Sequence, residues 1–376
     1  MKKLKVMTVV GTRPELIKLS RVMAELDHCF NHCLVHTGQN YDDELNRVFF
    51  NELEIRQPDH YLDAAGETAA ETIAQVISKV DKVLENEKPD AILLYGDTNS
   101  CMSAIVAKRR KIPVFHMEAG NRCFDDRVPE EINRRIVDHI SDINMPLTEH
   151  ARRYLLAEGI RSETVIKTGS CMQEVLEYYA DKIDQSDVLK RLELSPNGYF
   201  LISAHREENV DSPKRLAGLL ESLNGLADTH DCPIVFSVHP RTQKRLNDLG
   251  HGNIDSRIRF MKALGFLDYI QLQKQAKCVI SDSGTIAEES SLLGFPAVTI
   301  RQAHERPEGM DEGTLIMSDL IPERLLASVA IILGQHKRGK LAAVVADYQG
   351  GNVSIQVARI IQSYTDYIRR TVWRES

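Results

Sequence analysis

The residues best suited to chemistry crowd into positions 116–131, where five carboxylates (Glu118, Asp125, Asp126, Glu130, Glu131) and two arginines (Arg122, Arg127) follow the apolar run Ile112-Pro113-Val114-Phe115. A loop this charged leaving a buried strand has the groups needed to remove a proton from one atom and return it, and open α/β sheets bind ligands at such strand ends. The plainer reading of Pro129-Glu130-Glu131 is helix initiation, since proline and acids suit a first turn. Asp97 is a second carboxylate after an apolar run, Ala91-Ile92-Leu93-Leu94-Tyr95, and its competing role is the N-cap of a helix over 101–109. Cys123 shares the charged loop, with only its location to suggest a nucleophile. In the second half, His205-Arg206, His239-Pro240-Arg241, Ser283-Gly284-Thr285 and Arg306 each come after a strand-like run. Cations, hydroxyls and a helix start are what an anionic ligand requires. The division suggests a diphosphate held mainly by the second half and acid–base work done mainly by the first.

Elements able to position these groups follow from periodicity. Residues 4–10 form a continuous apolar run, as in a strand covered on both faces, and Leu16, Ile17, Leu19, Val22, Met23 and Leu26 then carry helical spacing. The intervening Gly11-Thr12-Arg13-Pro14-Glu15 turn offers backbone N–H groups to an anion beside Arg13 and Lys18, although Arg13 also suits a surface salt bridge. It is not a GxGxxG sequence, so a nicotinamide cofactor has little support. Strands are expected at 33–36, 91–95, 112–115, 142–145 and 165–167, with helices over 68–84, 132–140 and 148–158. The polar stretch 178–197 contains the turn cluster Ser195-Pro196-Asn197-Gly198 and marks a junction. The pattern restarts with strands at 199–203, 234–238, 278–280 and 297–300, and helices over 286–293, 325–333 and 353–364. His205, His239, 283–285 and Arg306 should therefore share one sheet edge. Two doubly wound α/β domains with an interdomain cleft are the expected fold.

Composition narrows the partners. A length of 376 residues suits two domains, and a net charge of −7 argues against nucleic acid as the main ligand. Seven scattered cysteines without a Cys-x-x-Cys pair suit a reduced, cytoplasmic chain, and no apolar stretch reaches the roughly 18 residues that span a bilayer. No cofactor is expected and no metal, Asp125-Asp126 being the nearest candidate for one.

Gly11-Thr12-Arg13-Pro14-Glu15, Gly96-Asp97-Thr98, His116-Met117-Glu118-Ala119-Gly120, Pro129-Glu130-Glu131, His205-Arg206-Glu207-Glu208-Asn209, Asp282-Ser283-Gly284 and Glu305-Arg306-Pro307-Glu308 resemble, in order and over nearly the whole chain, the non-hydrolysing UDP-N-acetylglucosamine 2-epimerase family. The resemblance implies two Rossmann-like domains in the glycosyltransferase-B arrangement. One covers 1–175 with a C-terminal helix, 355–376, crossing back, the other is a UDP-binding domain over 190–354, and the chain usually forms a homodimer. It implies inversion at carbon 2 of a UDP-linked acetamido sugar by elimination of UDP to a glycal and its return. Asp97, Glu118 and Glu130 would handle the proton, and His205 would assist the departing diphosphate. Ser283, Gly284 and Thr285 would meet phosphate, Glu289 the ribose and Tyr269 the uracil. Arg13, Lys18, Glu131, Arg134, His239 and Arg306 would complete the binding groups.

Three departures stand out. Ser283-Gly284-Thr285 replaces the family's Ser-Gly-Gly, the loop from Gly120 to Pro129 is shortened, and Gly38-Gln39-Asn40 replaces a Gly-Gln-His that serves a second, activating UDP-sugar. They are similar to the branch that makes UDP-N-acetyl-L-fucosamine from its L-talo epimer for capsule and O-antigen synthesis. Alternatives are UDP-N-acetylglucosamine epimerisation, a glycosyltransferase of the same fold, and a non-catalytic UDP-sugar sensor.

Overall fold

Apolar runs with turn residues at both ends become strands buried on both faces. The computed structural model describes residues 3–38, 43–238, 242–243, 245–246, 254–301 and 306–375, with the backbone alone at 43–47 and 207. The first six strands are β1 (Lys5–Val10), β2 (Asn31–His36), β3 (His60–Tyr61), β4 (Ala91–Tyr95), β5 (Val114–Met117) and β6 (Ile143–Met145). The second six are β7 (Phe200–Ser203), β8 (Ile234–Val238), β9 (Ile258–Lys262), β10 (Cys278–Ser281), β11 (Ala297–Thr299) and β12 (Ile316–Met317). Helices of eight or more residues among those described are α1 (Arg13–Cys29), α2 (Asp43–Glu52), α3 (Ala69–Glu87), α4 (Pro129–Ile140), α5 (Glu149–Ala157), α6 (Pro213–His230), α7 (Phe266–Gln275), α8 (Ile286–Leu293), α9 (Pro322–Lys337) and α10 (Val353–Thr371). Local chemistry sets several ends: Thr12 and Thr68 start α1 and α3 with capping boxes, and Lys88 closes α3 in a left-handed conformation.

The chain forms two compact units, Met1–Tyr178 with Ala346–Ser376, and Tyr179–Val345. The first has a parallel six-stranded sheet ordered β3-β2-β1-β4-β5-β6; the second, read from its β9 edge, runs β9-β8-β7-β10-β11-β12. These are the same winding, so β1 corresponds to β7 and β4 to β10. Each order reverses beside its first strand, where doubly wound sheets bind ligands. In the first unit Met7, Val9, Val35, Val76, Val80, Ile92 and Leu94 pack into one core. In the second, Phe200, Ile202, Leu219, Leu223, Phe236 and Val298 form another. Helix α10 belongs to the first unit and packs on α1. Residues 179–189, outside both expected domains, fall in the second unit, where Ile183 and Val188 are buried. No helix of the described residues is long and apolar enough to cross a membrane.

Two expected strands change. The run read as 112–115 is instead Val114–Met117, so His116 and Met117 belong to the sheet. Pro113 has no N–H for the ladder, and its carbonyl accepts from Ile92 N at 2.9 Å where pairing begins. The expected strand at 165–167 contributes one bridge, Asn144 to Val165.

Candidate active site

In the first unit the turn after β1 is closed by a carboxylate of its own helix. Glu15 Oε2 accepts from Gly11 N at 2.9 Å, Thr12 N at 2.7 Å and Thr12 Oγ1 at 2.8 Å, while Thr98 Oγ1 donates to Oε1 at 2.9 Å. These donors, expected to face an external anion, are engaged internally, because an acid at the third helical position of a capping box reaches back to them. Burial pushes the Glu15 carboxyl up to about 7 against the lowering effect of those neutral donors. Arg13 lies with its guanidinium 5.8 Å from the Phe49 ring centre.

Asp97 leaves the turn after β4. It is not a helix cap: Thr98 precedes the 3₁₀ turn Asn99–Ser103, and the Asp97 carboxylate meets Arg134 of α4, with Nε at 2.9 Å and Nη2 at 2.7 Å from Oδ2. Glu118 follows β5 at φ +59°, a left-handed conformation that costs a non-glycine residue on the order of 1 kcal/mol. Its Oε2 pairs with Lys18 Nζ at 2.8 Å, and Lys18 is buried with its ammonium 5.5 Å from the Tyr95 ring centre. A Cβ on Gly96 would stand 4.0 Å from Glu118 Oε1, so Glu118 borders the turn that carries Asp97. Gly120 is required at φ +84°, where a Cβ would lie 2.5 Å from Ala151 O.

Glu130 is half-buried in the first turn of α4, with no hydrogen bond or ion pair among the described residues. Glu131 takes the opposite role to the one expected of a ligand group. Its fully buried carboxylate accepts from Cys123 N at 3.1 Å and Phe124 N at 3.3 Å and pairs with Arg134 and Arg135, so it ties the 121–128 loop to α4. Burial, which would raise its pKa, is outweighed by those N–H groups and cations, which lower it. Arg134 bridges Glu131 and Asp97. Cys123 is buried, and that burial pushes its thiol up to about 11, the reverse of what a nucleophile needs. Asp125 is bound to Arg127 at 2.7 Å, and Asp126 is exposed. Cys33, His60 and Glu87 do bring donor atoms within 4.8 Å of one another, but Glu87 is occupied by Lys5 and His60, and the Cys33 thiol is pushed up to about 12 by burial. That cluster is an ion-pair group.

In the second unit the turn after β7 is closed from a neighbouring strand. Asp282, just past β10 and fully buried, accepts from His205 N at 3.0 Å, Arg206 N at 3.0 Å and Asn209 Nδ2 at 3.0 Å. His205 Nδ1 stands 3.1 Å from Asp282 Oδ1, which fixes the ring while leaving the side chain 45% exposed. Burial alone would raise the Asp282 carboxyl; the adjacent His205 and the N–H donors hold it at about 2. Beyond it Ser283 Oγ and Thr285 Oγ1 lie 3.0 Å apart where α8 begins. Ser283 lines a hollow with Gly284, Arg301 and Arg306, and Arg306 Nη1 is 3.1 Å from Glu288. Gln273 Nε2 donates to Glu289 Oε2 at 2.6 Å, and Tyr269, four residues before Gln273 on α7, has its phenol pKa raised by burial and by Glu289. His239, Asn40 and Glu305 lie outside the described residues.

The first unit thus gathers Lys18, Asp97, Glu118 and Arg134, and the second gathers His205, Ser283, Thr285 and Arg306. The sequence reading named Asp282 only within a motif and gave no role to Glu15, His116, Asp138 or Arg301. Glu15 was the most accessible of these, because Thr-x-x-Glu at a helix start is a capping-box signature.

A family model described as UDP-N-acetylglucosamine 2-epimerase matches residues 24–362. The solved structure of UDP-N-acetylglucosamine 2-epimerase from Rickettsia bellii is 56% identical, with a TM-score of 0.93, over 99% of this chain and 100% of that one. The Methanocaldococcus jannaschii UDP-GlcNAc 2-epimerase in complex with UDP-GlcNAc and UDP is 33% identical, with a TM-score of 0.88, over 96% and 100%. The UDP-2,3-diacetamido-2,3-dideoxy-D-glucuronate 2-epimerase of Pseudomonas aeruginosa is 32% identical across 95% of this chain and 99% of its own length.

Proposed function

The chain belongs to the UDP-N-acetylglucosamine 2-epimerase family, non-hydrolysing isomerases that act as UDP-sugar 2-epimerases, and from that premise we propose that it inverts carbon 2 of UDP-2-acetamido-2,6-dideoxy-L-talose to give UDP-N-acetyl-L-fucosamine for capsule or O-antigen synthesis. The observation that carries the reaction is the pair of carboxylates on adjacent strand ends, Asp97 and Glu118, each beside one cation, Arg134 and Lys18. A carboxylate takes the proton from carbon 2 as the carbon 1–oxygen bond breaks, and the bonding electrons leave with UDP. The resulting glycal takes UDP back at carbon 1 and a proton on the opposite face of carbon 2. Glu130, half-buried and without a partner among the described residues, is the third carboxylate of this relay.

Departure of a diphosphate is helped by donors already in place before its charge develops. His205, oriented by Asp282, supports the leaving group; Ser283, Gly284, Thr285 and Arg306 bind phosphate; Glu289 and Tyr269 hold the nucleoside; Arg13 and His239 add charge. Substrate choice rests on the shortened loop 121–127 and on Asn40 and Thr285. The 56% identity to the Rickettsia bellii enzyme favours a second reading, UDP-N-acetylglucosamine to UDP-N-acetylmannosamine.

Proton NMR in heavy water with both substrates in parallel separates the two. The expected result is carbon-2 inversion with solvent deuterium on the L-talo sugar. Inversion of UDP-N-acetylglucosamine alone installs the second reading, and sugar transfer without deuterium removes both in favour of a transferase.

A further inference from the structure

His116 is fully buried in the middle of β5, in register between Leu94 of β4 and Asn144 of β6. Its Nε2 lies 2.7 Å from Gly96 O. A carbonyl only accepts, so Nε2 carries a hydrogen. Its Nδ1 lies 3.0 Å from Asp138 Oδ1, an oblique contact that makes an ion pair rather than a straight hydrogen bond. Asp138 is itself surrounded by donors: Gly120 N is 3.2 Å from both oxygens, and Arg122 Nη1 is 2.7 Å from Oδ2. A protonated Asp138 would leave the fully buried Arg122 guanidinium facing a neutral group, so Asp138 is the anion and Nδ1 also carries a hydrogen.

We propose that His116 is a doubly protonated imidazolium in the working enzyme and a positioning residue that braces the two turns carrying Asp97 and Glu118. The turn after β4 hangs on it through Gly96 O. The turn after β5 hangs on it through Asp138, which holds Gly120 N two residues beyond Glu118. A neutral ring keeping the Gly96 bond would turn the Nδ1 lone pair onto the Asp138 carboxylate, and the two turns would part.

The charged groups facing the ring come from three places. They are Asp138 on α4, Asp97 in the turn after β4, and Arg122 in the loop after β5, which is paired on its other side with Glu158. Burial opposes the cation, yet Asp138 and the Gly96 carbonyl outweigh it, and the ring's pKa is raised above its ordinary value. His116 reaches no substrate in this scheme; its effect on turnover is through the carboxylates, and that part rests on the proposed epimerisation.

Protonation can be read without turnover. The chain has thirteen histidines, so His116 is assigned in ¹⁵N-histidine spectra as the signal lost in His116→Gln. Both ring nitrogens should carry hydrogen at about pH 8, well above the ordinary histidine midpoint. Asp138→Asn keeps the shape and removes the charge. It should bring the ring to neutrality at a pH at least about one unit lower, move the alkaline limb of kcat down with it, and lower kcat about tenfold or more with KM and UDP binding little changed. A singly protonated wild-type ring at about pH 8 overturns the proposal whether or not the variant folds. An unmoved kcat–pH profile in folded Asp138→Asn overturns the bracing. A doubly protonated ring in an enzyme that epimerises no UDP-sugar counts against the proposed function instead.

Discussion

The two units wind their sheets alike, yet they close the turn after the first strand with acids from different places. In the first unit the two backbone N–H groups of that turn go to Glu15, one helical turn along the same segment. In the second they go to Asp282, which arrives from the neighbouring strand β10. The difference decides what the strand-end acids are free to do. Because Glu15 serves the turn locally, the acid after the matching strand β4, Asp97, pairs with Arg134 beside Glu118 and its Lys18. Because Asp282 is engaged, the second unit offers a held histidine, hydroxyls and arginines. One fold thus yields an acid-rich edge and a donor-rich edge. The same contrast separates the two acids themselves. Both are buried and multiply hydrogen-bonded, but Glu15 has only neutral donors and rises to about 7, whereas Asp282 has His205 beside it and falls to about 2.

Breaking the acid-rich edge should have the largest effect. Glu118→Gln should lower turnover by about a thousandfold, within the range for loss of a positioned proton acceptor, while UDP binding measured by calorimetry stays intact. Retained turnover would remove Glu118 from the chemistry. Lys18→Met leaves Glu118 in a nearly closed site without its cation. Stability in urea should drop by about 3 kcal/mol, and an unchanged midpoint would mean the pair is solvated rather than structural.

The two turn-closing acids should give pH dependences of opposite sign. Glu15 has a raised folded pKa, so its contribution is complete below about pH 4.5 and is lost as pH rises through about 7. That slope, on the order of 3 kcal/mol, should vanish in Glu15→Gln when urea midpoints are compared across that window. Asp282 has a depressed folded pKa, so its contribution is complete above about pH 4 and is lost as pH falls through about 2. The loss is about 2 kcal/mol, the smallest of the four, and should be missing from the acid limb of Asp282→Asn. Equal slopes in the two variants would mean that His205 is not what separates the two acids.

Central strands and long helices were legible in the sequence because continuous apolar runs and 3.6-residue spacing are strong local signals. The strands that escaped notice, β3, β9 and β12, all lie at sheet edges. Two of them have only two residues, and β9 mixes buried Ile258 with exposed Arg259 and Lys262. A short or half-exposed strand carries no run long enough to read. At the site, the positions of Asp97, Glu118 and His205 after strands were readable, since a strand end can be located from its own residues.

What the sequence determined by itself, then, is the alternation of strands and helices, the acids and cations at their ends, and the local capping that places Glu15 on its own turn. Only the tertiary structure decided which acid meets which cation. Arg134 reaches Asp97 across 37 residues of chain, Lys18 reaches Glu118 across 100, and Asp282 reaches His205 across 77. Those separations are set by sheet order and helix packing. The same order turned Glu131 from a candidate ligand group into the tie of its loop, and put His116, the first residue of the charged stretch, inside the sheet beneath it. Side-chain type states what a residue can do in chemistry; burial and the partner across the fold determine which of those things it does.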